Sequence, residues 1–309
     1  MRILLHRSNG IVEPWITGFK TALPQAEVVV WQEDADIAPC DYAILWAPPT
    51  AMLPHLVHVK AIFIAGAGVD GALKFADALP PVPLIRLSDA GMGVQMAEYV
   101  AHAVLRYYRR FDEYERQARA GLWKPLELIP REEFSIGVMG MGVLGKRVLE
   151  SLAPFGFPLR GWSRSPKDMA GVTSYAGMDA LDDFLRGTRV LVCMLPLTPE
   201  TANLLDRSRL SLLPAGAYLV NVGRGAHVAE PDLLTLIRAG HIAGATLDVF
   251  RNEPLPAPHP FWDEQRITIT PHISALTLPH ESVVQIAQKI IALERGDSVA
   301  DVVERSRGY

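Results

Sequence analysis

Three polar residues in the second half of the chain stand where they could serve one reaction. Arg224 lies in Asn221-Val222-Gly223-Arg224-Gly225, Glu253 in Asp248-Val249-Phe250-Arg251-Asn252-Glu253-Pro254, and His272 in Thr270-Pro271-His272-Ile273-Ser274-Ala275. Each comes at or just past a short apolar run that reads as a strand. The planar fork of arginine suits a carboxylate or carbonyl. Histidine suits proton donation near neutral pH. A neighbouring carboxylate raises the pKa of a histidine and fixes its ring. A fixed cation and a held proton donor are what a 2-keto acid needs to accept a hydride. Taken singly, each residue has a plainer reading: a surface arginine, a solvated glutamate, a histidine bonded to backbone.

A second chemistry-bearing stretch lies upstream. Phe134–Met139 is a short apolar run, and Gly140, Gly142 and Gly145 follow it with the spacing Gly-x-Gly-x-x-Gly. In that pattern the first glycine allows a tight turn, the second lets backbone approach a pyrophosphate, and the third lets helix and strand pack closely. Lys146–Ala153 continues as a helix whose N-terminal N–H groups, including those of Val143 and Leu144, face the phosphates. Its place between a strand and a helix makes the glycine pattern informative. About 18 residues after Gly145, where roughly 20 is the usual spacing to the ribose-binding acid, the next strand ends at Ser163-Arg164. An acid there would bind the 2′-hydroxyl of the adenosine ribose and repel a 2′-phosphate. Serine removes that repulsion, Arg164 can pair a phosphate in two parallel hydrogen bonds, and Ser165 and Lys167 can add donors. The expected cofactor is NADP(H). The alternative is that Arg164 and Lys167 are an ordinary solvated surface.

These stretches need elements to position them. Strand-like runs at Ile3–His6, Val28–Trp31, Tyr42–Trp46, Ala61–Ala65 and Pro83–Leu87, with helical segments such as Glu13–Leu23 between them, predict a small parallel α/β domain. A helical pattern follows from about Gly93 to Ala120. Met96, Val100, Val104, Tyr107, Phe111 and Tyr114 make one apolar stripe on it, which reads as packing, within one subunit or at a subunit interface. Further strands are expected at Leu159–Trp162, Val190–Leu195, Tyr218–Val222, Ala245–Val249 and Ile267–Thr270. Helices are expected at Ala180–Leu185, Asp232–Arg238 and after Pro279. The fold class is α/β, with two doubly wound parallel-sheet domains: a flavodoxin-like substrate domain of residues 1–92 plus 277–309 and a Rossmann nucleotide domain of residues 93–276. A cleft between them would face the carboxyl ends of the strands, where such sheets bind ligands.

Bulk properties narrow the class. A length of 309 residues fits two domains, and 49% hydrophobic residues suffice for two cores. The formal charge of −4 carries no nucleic-acid footprint. Cys40 and Cys193 make no disulfide framework; Cys193, in an apolar run, reads as packing. Met1–His6 is too short for a signal segment and reads as a strand. No run reaches membrane-spanning length, so a cytoplasmic protein is expected. No cluster has metal-ligand spacing. His6, His55, His58, His102, His227, His241, His259 and His280 read as surface or structural.

The residues together resemble the D-isomer-specific 2-hydroxyacid dehydrogenase family. The resemblance covers essentially the whole chain, is strongest over Ser88–Ala275, and rests on five motifs in order: Gly140–Gly145, Pro196–Thr201, Asn221–Gly225, Asp248–Pro254 and Pro271-His272. It is greatest to the branch that reduces glyoxylate and hydroxypyruvate, through Asp89–Met96, Leu122–Leu126, Trp162–Ser165 and the ending Arg307-Gly308-Tyr309. The resemblance implies that His272 is the general acid, Glu253 its partner and Arg224 the residue that binds and polarises the substrate. It implies that Gly66-Ala67-Gly68-Val69-Asp70 is a substrate loop whose N–H groups at Ala67 and Gly68 hold a carboxylate, the plainer reading being a turn. Pro196 and Asp248 match positions lining the cofactor; Asp248 could equally cap a helix or a turn. Trp46 could wall the substrate pocket or simply pack. Serine at position 163 departs from the NAD-type members. The implied activity is NADPH-dependent reduction of small 2-ketoacids by a homodimer. Its rivals are a reductase of bulkier 2-ketoacids such as phenylpyruvate, and a non-catalytic nucleotide-sensing regulator on the same fold.

Overall fold

The computed structural model describes residues 1–307; Gly308 and Tyr309 of the C-terminal motif lie outside the described residues. The chain divides into two compact units. One takes Met1–Met92 together with the stretch from Thr277, and the other is Gly93–Leu276.

The first unit holds five parallel strands, β1 (Arg2–Arg7), β2 (Glu27–Val30), β3 (Tyr42–Trp46), β4 (Ala61–Ile64) and β5 (Leu84–Arg86), in the order β2-β1-β3-β4-β5. This is the flavodoxin-like order. β3 and β4 are apolar along their whole length, and β1 through its middle, because helices or loops cover both faces of a parallel sheet: Ile3, Leu4, Leu5, Ile44, Leu45 and Ile62 are fully buried. Each such side chain contributes about 1.5–3 kcal/mol on leaving water. The helix Glu13–Ala22 packs against the helix Pro279–Glu294, with Gly18 facing Val283.

The second unit holds seven parallel strands: β6 (Ile136–Met139), β7 (Leu159–Ser163), β8 (Val172–Ala176), β9 (Val190–Cys193), β10 (Ala217–Asn221), β11 (Ile242–Leu247) and β12 (Ile267–Ile269). Their order is β12-β11-β10-β9-β6-β7-β8. From β6 the chain runs outward to β8, then returns to β9 on the other side of β6, the reversal that makes a dinucleotide crevice in a Rossmann sheet. Cys193, at the end of β9, is fully buried, and burial pushes its thiol up to about 12; it is a packing residue.

Two sequence expectations are corrected. The pattern over Gly93–Ala120 is two helices, Met92–Tyr108 and Phe111–Arg119, broken where Arg110 takes φ 56°. The apolar stripe is buried only in the first: Met96, Val100 and Val104 pack with Phe134, Val138 and Val148, with Tyr107 partly buried against them, whereas Phe111 is exposed. The stripe is therefore core of the second unit. Strand β8 was not expected. It is an edge strand of mostly half-exposed residues, so it lacks the apolar run that marks its neighbours. No helix among the described residues is long and apolar enough to cross a membrane.

Candidate active site

All strands of the second sheet are parallel, so the turns after β6, β7, β9, β10, β11 and β12 emerge on one edge. After β6, Gly140 adopts φ 109°, open to glycine and strained for other residues. A Cβ on Gly145 would lie 1.8 Å from the Gly140 carbonyl oxygen, whereas one on Gly142 would meet nothing within 4 Å. One glycine thus lets the helix Val143–Leu152 close on its strand, and the other leaves an open approach to the N–H groups of that helix's first turn. This cradle fits a pyrophosphate.

Strand β7 delivers Ser163 and then Arg164. Ser163 is buried, and its hydroxyl donates to the Ser165 carbonyl oxygen at 2.8 Å; Arg164, Ser165 and Lys167 are exposed. Arg164 lies close enough to Glu200, in the turn after β9, for its charge to act there. The Glu200 pKa is lowered first by the Thr198 hydroxyl, with the Arg164 charge adding to the shift. In that same turn Pro196 is exposed, and its carbonyl oxygen accepts from the Thr201 hydroxyl at 2.8 Å.

The turn after β10 sets Arg224. Asn221, buried at the strand end, donates from its side chain to the Arg224 carbonyl oxygen at 3.0 Å and accepts from the Gly223 N–H at 3.2 Å. His227 is fully buried. Its Nδ1 accepts from the Arg224 N–H at 3.0 Å, which leaves the ring proton on Nε2, 3.2 Å from the Pro196 carbonyl oxygen. A Cβ on Gly225 would lie 1.9 Å from the Phe250 carbonyl carbon, so glycine lets this turn press against the start of the one that carries Glu253.

Glu253 and His272 meet. His272 Nδ1 is 2.8 Å from Glu253 Oε2, and the two side chains are 39% and 36% exposed. The other carboxylate oxygen accepts from the Phe250 N–H at 2.8 Å. Burial would raise the Glu253 pKa, but it is outweighed by the His272 hydrogen bond, the Phe250 N–H and the charges of His272 and Arg224, which hold the carboxyl below its usual range. The three residues singled out in the sequence are therefore electrostatic neighbours.

His272 has φ 56°, a costly conformation for a residue with a Cβ. Asp248, fully buried at the end of β11, stabilises it. Its Oδ1 accepts from the Thr270 hydroxyl at 2.6 Å and the Ile273 N–H at 2.8 Å, and its Oδ2 accepts from the Ser274 N–H at 2.7 Å. The Asp248 carbonyl oxygen accepts from the His272 N–H at 2.9 Å. Tyr99 OH lies 2.6 Å from the Thr270 hydroxyl, and Gln95 bonds both the N–H and the carbonyl oxygen of Leu276. In this structure, then, Asp248 braces a turn. Asn221, His227, Tyr99 and Thr270 were not singled out in the sequence for roles at the site. No local motif marks Tyr99, Thr270 enters only as the start of the run around His272, and the only cue for His227 is its place three residues after Arg224.

In the first unit, Trp46 is the half-buried last residue of β3, and Ala67 and Gly68 are half-exposed in the loop after β4. A cavity of about 340 Å³ lined by His102, Arg106, Phe111, Tyr114, Glu115 and Ala118 contains none of the candidate residues. No group of three or more His, Cys, Asp or Glu among the described residues is placed to hold a metal ion.

A parallel sheet in Rossmann order, with a glycine cradle at its reversal and a carboxylate-held histidine on the same edge, defines a dinucleotide-dependent oxidoreductase. Comparison with known proteins gives the family. Residues 101–274 match the model of the D-isomer-specific 2-hydroxyacid dehydrogenase NAD-binding domain, and the chain belongs to that family. It is 47% identical, over the full length of both chains, to a glyoxylate/hydroxypyruvate reductase A from Yersinia enterocolitica, and 48% identical, again over both full lengths, to one from Serratia proteamaculans. Among solved structures, a D-isomer-specific 2-hydroxyacid dehydrogenase from Xanthobacter autotrophicus in complex with NADPH and MES superposes with a TM-score of 0.96 at 38% identity. It covers 100% of this chain and 99% of the other. An NADPH-dependent glyoxylate/hydroxypyruvate reductase from Sinorhizobium meliloti, in complex with NADP and sulfate, gives 0.94 at 32% identity, with the same coverage.

Proposed function

We propose that the protein is a cytoplasmic, homodimeric, NADPH-dependent reductase of small 2-ketoacids, taking glyoxylate to glycolate and hydroxypyruvate to D-glycerate. The observation that carries the reading is the 2.8 Å pair of His272 and Glu253, with Arg224 beside it, on the glycine-cradle edge of the sheet. The reductase names and NADP(H) complexes of the relatives support the substrates and cofactor.

The stretch Gly93–Leu276 is the nucleotide-binding domain, and the remainder is the substrate domain. Gly140, Gly142, Val143, Leu144 and Gly145 hold the pyrophosphate through backbone. Arg164 and Ser165 bind the 2′-phosphate. Ser163 contributes by not being an acid, because its own hydroxyl is engaged by the Ser165 carbonyl oxygen. Pro196 and Asp248 line the cofactor site. NADPH, when bound, supplies the hydride. Ala67 and Gly68 bind the substrate carboxylate through N–H groups, Trp46 walls its pocket, and Arg224 orients and polarises its carbonyl. His272, with Nδ1 held by Glu253, gives the proton to the carbonyl oxygen from its other ring nitrogen. NADP(H) as cofactor favours reduction in the cell. For the dimer, support comes from the exposed apolar residues Leu122, Trp123 and Leu128; Trp123 is 98% exposed.

The test is a panel of 2-ketoacids, from glyoxylate to phenylpyruvate, with purified protein and either NADPH or NADH. Loss of nicotinamide absorbance should be fastest with NADPH and the small acids, with glycolate and D-glycerate recovered. Preference for phenylpyruvate would move the substrate class, and NADPH binding without turnover on any member would favour the regulator.

A further inference from the structure

The first unit carries a cation that the proposed mechanism does not use. Arg7 ends β1 and lies in register with Trp46, the end of β3. It therefore sits on the carboxyl edge of the five-stranded sheet, where such sheets bind ligands. The side chain is half-buried. Its Nη1 donates to the Ala65 carbonyl oxygen at 3.3 Å, and its Cζ lies 4.9 Å from the centroid of the Trp15 ring. Its Nε is sealed from solvent and has no hydrogen-bond partner. No carboxylate among the described residues pairs with it, and burial lowers its pKa with no negative charge set against the shift. The adjacent His6 brings no counter-charge: burial lowers its pKa, a Trp46 backbone hydrogen bond opposes the shift and the Arg7 charge adds to it. A desolvated guanidinium with no acid beside it is costly to the fold and attracts an anion.

What Arg7 holds gives this cost a use. Ala65 immediately precedes Gly66-Ala67-Gly68. Its carbonyl oxygen also accepts from the Thr277 hydroxyl at 2.9 Å, and the Gly66 carbonyl oxygen accepts from the Leu87 N–H at 3.1 Å. A Cβ on Gly66 would lie 2.3 Å from the Trp46 ring, so loop and ring are fitted to each other. The base of the loop is thus pinned, while the N–H groups of Ala67 and Gly68 donate to no acceptor among the described residues.

We propose that Arg7 is a positioning and specificity-determining residue: it fixes the Gly66–Gly68 loop through Ala65 and supplies the positive charge that makes the loop select a carboxylate. The assignment rests on the substrate-loop reading under Proposed function. A carboxylate arriving at the two N–H groups supplies the counter-charge that Arg7 lacks. A neutral analogue gains the N–H contacts but not this charge.

The experiment compares wild type, Arg7→Gln, Arg7→Lys and Thr277→Val. Each is assayed with NADPH on glyoxylate and on its uncharged methyl ester, and each is titrated calorimetrically with oxamate, a carboxylate that is not reduced. Arg7→Gln should raise the KM for glyoxylate and the oxamate Kd about tenfold, leaving kcat, the KM for NADPH and the ester's kcat/KM within about twofold. Arg7→Lys should recover part of the loss. Thr277→Val, which removes a brace but no charge, should affect acid and ester alike. Equal losses on acid and ester in both Arg7 variants, or unchanged oxamate binding, would overturn the proposal. Wild type that binds oxamate but reduces nothing would refute the reductase reading and leave the Arg7 comparison intact. If Arg7→Gln does not fold, Arg7→Lys and the oxamate titration still decide.

Discussion

The turn that carries His272 and the turn that follows β7 open on the same edge of one sheet and are built by opposite means. At His272, a residue in a left-handed conformation is held by a fully buried carboxylate that accepts three hydrogen bonds from the turn, and by Glu253 on its ring. After β7, the Ser163 hydroxyl donates to the Ser165 carbonyl oxygen, and the side chains of Arg164, Ser165 and Lys167 lie on the exposed surface. Under the proposed function, proton transfer demands a fixed donor, and the turn's geometry is enforced from the interior. Choosing between a hydroxyl and a phosphate on the ribose demands charge, which tolerates mobile side chains and works where salt and water reach it. The two turns should therefore fail differently.

Among changes that leave the His272 ring in place, the largest effect should come from the interior brace. Asp248→Ala strands the N–H donors of Ile273 and Ser274, each unmet group costing about 1–3 kcal/mol, leaves the Thr270 hydroxyl only its Tyr99 contact, and releases His272 from its costly φ. A fall in kcat of about a hundredfold is expected, with a lowered melting temperature. A normal kcat would show that the turn holds without Asp248.

Removing the ring partner should cost less. Glu253→Gln is expected to lower kcat about tenfold while leaving NADPH binding unchanged, because the amide still reaches the ring but carries no charge. A pH signature accompanies it. The folded Glu253 pKa lies below its ordinary value of 4.5, so the group stabilises the fold above that value and loses the contribution as pH falls through the lowered one. Wild type should melt above Glu253→Gln near neutrality, and the gap should close in acid. A gap independent of pH would remove the charge from the account.

The exposed turn should give the most selective change, confined to one cofactor. Arg164→Ala should raise the KM for NADPH about tenfold, or about 1.4 kcal/mol, and leave kcat and the KM for NADH nearly untouched. High salt should narrow the difference. Equal losses with both cofactors would refute contact with the 2′-phosphate.

The same contrast explains what could be read from the sequence. Arg224, Glu253 and His272 were legible because each stands at a strand end in a short run of characteristic residues. The glycine turn was legible because its spacing answers to a packing need seen directly at Gly145. The braces were legible only in part. Asp248 was readable as a turn residue, but its reach to Ser274 across 26 positions, and that of Tyr99 to Thr270 across 171, leave no local pattern. Strand β8 was hidden because its edge position leaves it mostly half-exposed, and strand signals rest on apolar runs. The break at Arg110 was hidden because neither glycine nor proline marks it, and the apolar spacing continues through it.

The central claim is that His272, aimed by Glu253 and Asp248, delivers the proton in an NADPH-dependent 2-ketoacid reduction. Its most direct test is the kcat of His272→Ala with NADPH and hydroxypyruvate, with the NADPH Kd measured on the same preparation. A fall of about a thousandfold in kcat with an unchanged Kd is predicted. A kcat within threefold of wild type would contradict the claim.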